Sequence, residues 1–139
     1  HYFTLAFADI DLETGYTQFV QAGHPYPVIV RKDGTTELVG TGGPPIGLVA
    51  GVQYQTETLN LHAGDRLLLY SDGITECQNA QDELYDEDRM CKTLSNHIGT
   101  TGLEYLNNLL WDVSQFADGT PFYDDLSAIL FEFSGSSTQ

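Results

Sequence analysis

Only five residues, Asp11-Leu12-Glu13-Thr14-Gly15, separate two stretches that both read as β-strands. Before them, Tyr2–Asp9 alternates and then runs apolar. After them, Tyr16–Ala22 sets Tyr16, Gln18 and Val20 against Thr17, Phe19 and Gln21 with the period of two that a pleated strand imposes. Parallel neighbours need a crossover of a dozen or more residues, usually a helix. The gap therefore admits one arrangement, an antiparallel hairpin of Tyr2–Ile10 with Gly15–Ala22, with Gly15 where the turn asks for positive φ.

Beyond the hairpin the chain continues as short strands. Gly23-His24-Pro25 breaks the pattern, Val28–Arg31 resumes it, and Asp33-Gly34 turns it into Thr35–Val39. Residues 40–47, GTGGPPIG, form a Gly/Pro loop, not a linker, because structured pattern continues on both sides. Gln53–Leu59 and Arg66–Tyr70 are further strands, joined at His62-Ala63-Gly64-Asp65. Helical spacing then appears over Asp86–Ile98, carried by Met90, Cys91, Leu94 and Ile98. Thr101 and Glu104 fit a capping box for a second helix, whose core face is read as Leu103, Leu106, Leu110 and Val113. Leu126–Phe133 closes as a strand. Strands in a run, then helices, then one strand predict an antiparallel-rich α+β fold in one domain over residues 1–133, with 134–139 a disordered tail. The start at His1, entering a strand almost at once, reads as a piece of something longer.

Charge narrows the partners. Twenty acids face five bases, for a formal net charge of −15. Such a surface repels phosphate backbones and anionic lipids, which argues against nucleic-acid and membrane binding, and it attracts cations. The five acids within Asp82–Asp88 read as a solvated loop. Cys77 and Cys91 form no CxxC pair and read as reduced thiols of a cytoplasmic protein. No apolar run approaches about 18 residues, so neither a transmembrane helix nor a signal peptide is expected.

The chemistry gathers around acids at strand ends. The stretch LLLYSDGITE, residues 67–76, ends a buried strand on Asp72 and Gly73. A carboxylate on that rigid platform can be aimed at a metal, or it can simply cap a turn. Asp9/Asp11 and Asp124/Asp125 are the other candidates. Phosphate-ester hydrolysis needs charge neutralisation and an activated nucleophile, supplied by metal-held water or by a carboxylate that attacks directly. FADIDLE, residues 7–13, resembles the DxDx nucleophile of haloacid-dehalogenase-type phosphatases, with Lys92 as lysine and Asp124-Asp125 as late acids. The five-residue gap contradicts that fold, which needs a crossover after the nucleophile strand, and Glu13 stands where its Thr belongs.

Four blocks in order, YFTLAFADIDLETGYTQFVQAGHPYPVIV, GGPPIG, LHAGDRLLLYSDGITECQN and FYDDLSAILFEF, are similar instead to the C-terminal part of the SpoIIE/RsbU-type branch of the metal-dependent (PPM, type 2C) serine/threonine phosphatases. The resemblance implies two antiparallel sheets flanked by helices, with the N-terminal part missing, and a binuclear Mn2+ or Mg2+ centre. It implies Asp72 and Asp124 as metal ligands, with Asp125 behind them and Gly73 at the strand end. It also implies acids upstream of His1, one bridging both metals, so that the chain alone would hold half a site and be inactive. Glu76 either orients a metal-bound water or caps a helix start. His24 of AGHPYP shapes a turn beside the site; His1, His62 and His97 read as surface residues. In such proteins the domain sits behind a receiver or sensor domain. It dephosphorylates serine on an anti-sigma factor antagonist and so releases a sigma factor. The contrasting class is a phosphatase-like module that only docks a partner.

Overall fold

In the computed structural model, which describes residues 4–23, 25–40, 42–122 and 125–135, the opening hairpin is built by its turn. The Asp11 carboxylate accepts the Glu13 and Thr14 N–H groups at 2.9 and 3.1 Å. The Gly15 N–H donates to Asp11 O at 2.8 Å. Gly15 has φ +79°, and a Cβ there would lie 2.0 Å from Leu61 O, so no other residue fits. The described elements run β1 (Leu5–Ile10), β2 (Tyr16–Ala22), β3 (Val28–Val30), β4 (Thr36–Leu38), β5 (Glu57–Asn60), β6 (Arg66–Tyr70), α1 (Asp72–Thr75), α2 (Asp86–Asn96), α3 (Gly102–Ala117) and β7 (Ala128–Glu132). β1 and β2 pair antiparallel, from Leu5 opposite Ala22 to Ile10 opposite Thr17. That pairing rules out the crossover an aspartyl-nucleophile fold requires, and it leaves Asp11 as a turn-former.

β1-β2-β5 is one antiparallel sheet; β4-β3-β6-β7 is the other. Alternation on β3 and β6 decides the layering. Val28, Val30, Leu68 and Tyr70 point to the helices and pack with Ile74, Met90, Leu94, Tyr105, Leu109 and Val113. Ile29 and Leu67 point the other way, to Phe19, Leu59, Leu61 and Phe133 between the sheets. The central strands β3 and β6 are thus buried on both faces, and the described helices lie on the outer side of this sheet.

Three readings need correction. The α3 core face is Tyr105, Leu109, Val113 and Ala117, whereas Leu103 is 72% exposed and Leu110 is 37% exposed. The stripe at i, i+4, i+8 and i+12 is buried in one core with Val28, Val30, Leu68 and Tyr70 of the four-stranded sheet, and Arg66 of β6 lays its guanidinium over the Tyr105 ring, 4.0 Å from its centre. The Thr101 capping box is absent: Thr101 makes no side-chain cap bond, and Gly102 N–H instead donates to Glu132 on β7 at 2.9 Å. Finally, the strands expected at Gln53–Leu59 and Leu126–Phe133 are trimmed to β5 and β7. Both cysteines are free, Cys77 buried and Cys91 half-buried. Among the described residues no helix is long and apolar enough to cross a membrane. Residues 136–139 of the expected tail lie outside the described residues.

Candidate active site

β6 ends at Tyr70, and through Ser71 the chain turns at once into the single turn of α1, with Asp72 as its first residue. Ser71 does not cap that helix with its side chain. Its hydroxyl is used across the fold: Oγ donates to Asp125 O and accepts the Ser127 N–H, both at 3.0 Å, while Ser71 N–H donates to Ser127 O at 2.9 Å. This stitching holds the segment leading into β7 against the end of β6. Gly73 makes it possible, since a Cβ there would come 2.4 Å from Asp125 O. The SDG and DLS segments are therefore complementary surfaces, serine to backbone and glycine to carbonyl.

The consequence is that Asp72 and Asp125, both exposed, line one cavity of about 430 Å3, together with Ser71, Ser127, Pro25 and Thr4. Its polar atoms are oxygens of carboxylates, hydroxyls and backbone, a donor set that suits hard cations such as Mg2+ or Mn2+ and not soft ones. Among the described residues no three His, Cys, Asp or Glu side chains gather at metal-binding distance. Beneath the site, burial foremost, then the negative charges of Glu87 and, less, Asp72, hold the Tyr70 phenol above its usual range, so it stays protonated.

Of the residues singled out from sequence, the structure brings Asp125 and Gly73 to Asp72. Asp124 and His24 lie outside the described residues. Pro25, next to His24 in the sequence, lines the cavity. Glu76 stands at the C-terminal end of α1, its N–H donating to Asp72 O at 2.8 Å, so helix-start capping does not explain it. The GGPPIG loop packs behind the same turn, with Gly23 N–H donating to Gly43 O at 2.7 Å. His62 is exposed, as read, while His97 is half-buried with Nδ1 3.0 Å from Thr93 O. Sequence reasoning missed Ser71, whose only local signal was its place before Asp72, and Asp65. That buried carboxylate ties Arg31, Lys32 N–H and His62 N–H together at 2.8 to 3.0 Å and so fixes the turn into β6.

The family described as Stage II sporulation protein E (SpoIIE) matches residues 1–134. The phosphoserine phosphatase RsbU of Bacillus subtilis is 25% identical over 130 residues, 93% of this chain and 38% of that protein. The phosphoserine phosphatase RsbP of the same organism is 34% identical over 76 residues, 55% of this chain and 19% of its own length. The chain thus spans well under half of these relatives. Among solved structures, the phosphatase domain of SpoIIE from Bacillus subtilis superposes with a TM-score of 0.77 at 20% identity, over 98% of this chain and 60% of that one. A sheet pair closed by β7 on β6, an acid at the β6 end and a match over nearly the whole length come together in one conclusion: this chain belongs to the SpoIIE family, in the SpoIIE/RsbU-type branch of the type 2C phosphatase fold.

Proposed function

We propose that this chain is part of a metal-dependent phosphatase domain that removes phosphate from serine or threonine of a bacterial regulatory protein, an anti-sigma factor antagonist or a protein of that kind, within a larger cytoplasmic signalling protein. The observation that carries this reading is the pinning of Asp72 beside Asp125 by Ser71, Gly73 and Ser127. The relatives named phosphoserine phosphatases support it.

Asp72 and Asp124 would hold the cation, with Asp125 and Glu76 ordering the water around it and His24 shaping the neighbouring turn. Mn2+ or Mg2+, when bound, supplies charge neutralisation at the phosphate and a lowered pKa for the attacking water. The chain's own contribution is to fix the carboxylates. Asp72 sits on a strand end and not on a free loop, and the backbone that carries Asp125 is locked to the same strand end by three hydrogen bonds.

The test uses the full-length protein. Asp72→Asn keeps size and hydrogen bonding but removes the charge. Hydrolysis of a phosphoserine substrate should fall by more than about 100-fold while the fold persists. The 139-residue chain alone should show negligible turnover of p-nitrophenyl phosphate. An Asp72→Asn protein with the wild-type rate would mean the wrong acid is assigned. No activity before mutation, with Mn2+ in excess, would favour a domain that only docks a partner.

A further inference from the structure

On the outer side of the fold α2 and α3 run antiparallel: Leu94 O accepts the Tyr105 hydroxyl, Thr93 donates to Asp112, and Arg89 lies over the Phe116 ring. Between them opens a groove of about 460 Å3. Its floor is satisfied from within. Asp112 accepts the Tyr85 and Thr93 hydroxyls at 2.5 and 2.8 Å, and Arg89 is engaged by Leu84 O, Glu83 and the Phe116 ring. The walls are different. Lys92, Asn96 and Gln115 line the groove, are exposed, and make no side-chain hydrogen bond or ion pair among the described residues. Lys92 therefore pairs neither with Asp112 nor with Asp88, one turn before it. Helical spacing puts Trp111 on the rim, one turn before Gln115, and this single tryptophan of the chain is 66% exposed.

We propose that the α2–α3 groove docks an acidic segment of a partner protein, with an apolar side chain of that segment on Trp111 and a carboxylate on Lys92. Charge selects the occupant. The chain carries a formal −15, and the openings around Asp72 are lined by Asp72, Asp86, Glu87 and Asp125. That face repels an acidic partner, whereas the groove presents an ammonium without a counter-ion, so charge decides where such a partner lands. A carboxylate suits the site better than a phosphate. Phosphate recognition draws on several bases and on the Arg fork, and the Arg89 fork is already occupied.

The remaining groups fit a peptide. Asn96 and Gln115 carry amides that both donate and accept, as an extended backbone requires. Exposed tryptophan is among the side chains that most often anchor an interface. Helix axes about 8–10 Å apart, spanned by a segment advancing about 3.3 Å per residue, put the carboxylate about three positions from the apolar residue. Glu104, two turns before Trp111 on α3, repels a segment shifted along the helix and so fixes the register.

The experiment uses the full-length protein without added metal and short fluorescein-labelled Gly-Ser peptides. Each peptide carries one Leu with Glu, Gln or Lys three positions to either side, and fluorescence anisotropy gives Kd. The Glu peptide should bind about 2-fold to 5-fold tighter than the Gln peptide. Trp111→Ala and Lys92→Glu, both at exposed positions that leave the fold intact, should each weaken the Glu peptide by at least about 5-fold. Lys32→Glu, at an exposed base outside the groove, changes the net charge equally and should leave Kd within about 2-fold. Full affinity in Trp111→Ala or Lys92→Glu overturns the proposal. An equal loss in Lys32→Glu does the same, because overall charge then explains the binding, and so does the absence of saturable binding to the wild type. A concentration-dependent dimer in sedimentation that Trp111→Ala abolishes makes a second copy the occupant and also overturns it. No arm requires phosphate removal, so the phosphatase reading stands or falls separately.

Discussion

Replacing Gly73 by Ala isolates the contact on which the site is built. Gly73 is buried, and the new Cβ would sit 2.4 Å from Asp125 O, 3.1 Å from its carbonyl carbon and 3.0 Å from Leu126 Cδ2. Ordinary carbon contacts begin near 3.4 Å, so one partner must withdraw by 3.4 − 2.4, close to 1 Å. The nearest obstacle is backbone, so the withdrawal moves the whole segment that Ser71 binds. Overpacking of this size costs about 1–3 kcal/mol, offset in part by the gain of about 0.5–1 kcal/mol for Gly→Ala in a helix. A net loss of about 1–2 kcal/mol lowers Tm by roughly 4–8 °C for a chain of this length. Gly99→Ala is the matched control: it has no heavy atom within 4 Å of its Cβ and no left-handed φ. It should leave Tm unchanged or raise it slightly, through the unfolded chain. Thermal unfolding by circular dichroism reads the difference, and hydrogen exchange at the Ser127 amide should accelerate in the Gly73 variant alone. Equal Tm values for the two variants would refute the argument that α1 and the approach to β7 are in limiting contact.

Three further outcomes follow from the polar interior. Asp65→Asn removes a buried carboxylate from Arg31 and should cost about 3 kcal/mol at pH 7. Burial opposes ionisation of Asp65, but the His62 N–H, Arg31 and Lys32 N–H outweigh it and hold the carboxyl below its usual range. Its contribution is therefore full above the unfolded value near pH 3.9 and is lost as pH falls through the lower folded value; the gap between wild type and variant in urea midpoints should close there, and a gap constant with pH would refute it. Tyr85→Phe breaks a 2.5 Å hydrogen bond to Asp112, which keeps Thr93 at 2.8 Å, and should cost about 1–3 kcal/mol by denaturant midpoint. Tyr70→Phe should be neutral or stabilising by up to about 1 kcal/mol, because among the described residues the buried Tyr70 hydroxyl has no hydrogen-bond partner. Equal losses at the two tyrosines would contradict this.

What the sequence made legible was local. The five-residue gap dictated the hairpin, and Val28–Arg31 read as a strand, which the structure places at Val28–Val30 with all three side chains buried. What it hid was decided by distant partners. Helix α3 carries apolar residues on two faces; the expected stripe Leu103, Leu106, Leu110 and Val113 and the buried set Tyr105, Leu109, Val113 and Ala117 share Val113, and the sheet behind them chooses between the two. The N-terminus of α3 is likewise served by Glu132, thirty residues away, and not by the neighbouring threonine. At the site, Asp72 stood out because a strand ends there, but its neighbourhood with Asp125 was legible through family resemblance alone.

The Ser71 hydrogen bonds to Asp125 and Ser127 span 54 and 56 residues, and this separation has a kinetic meaning. At about 5–20 residues per second, Ser127 leaves the ribosome roughly 3–11 s after Ser71. In that interval β3 and β6 can pair, and α2 and α3 can begin to pack on them, while the far edge of β6 still lacks β7. The Asp72–Asp125 cavity therefore waits on β7 reaching that edge, because the Ser71 bonds that shape it are made across the β6–β7 pair.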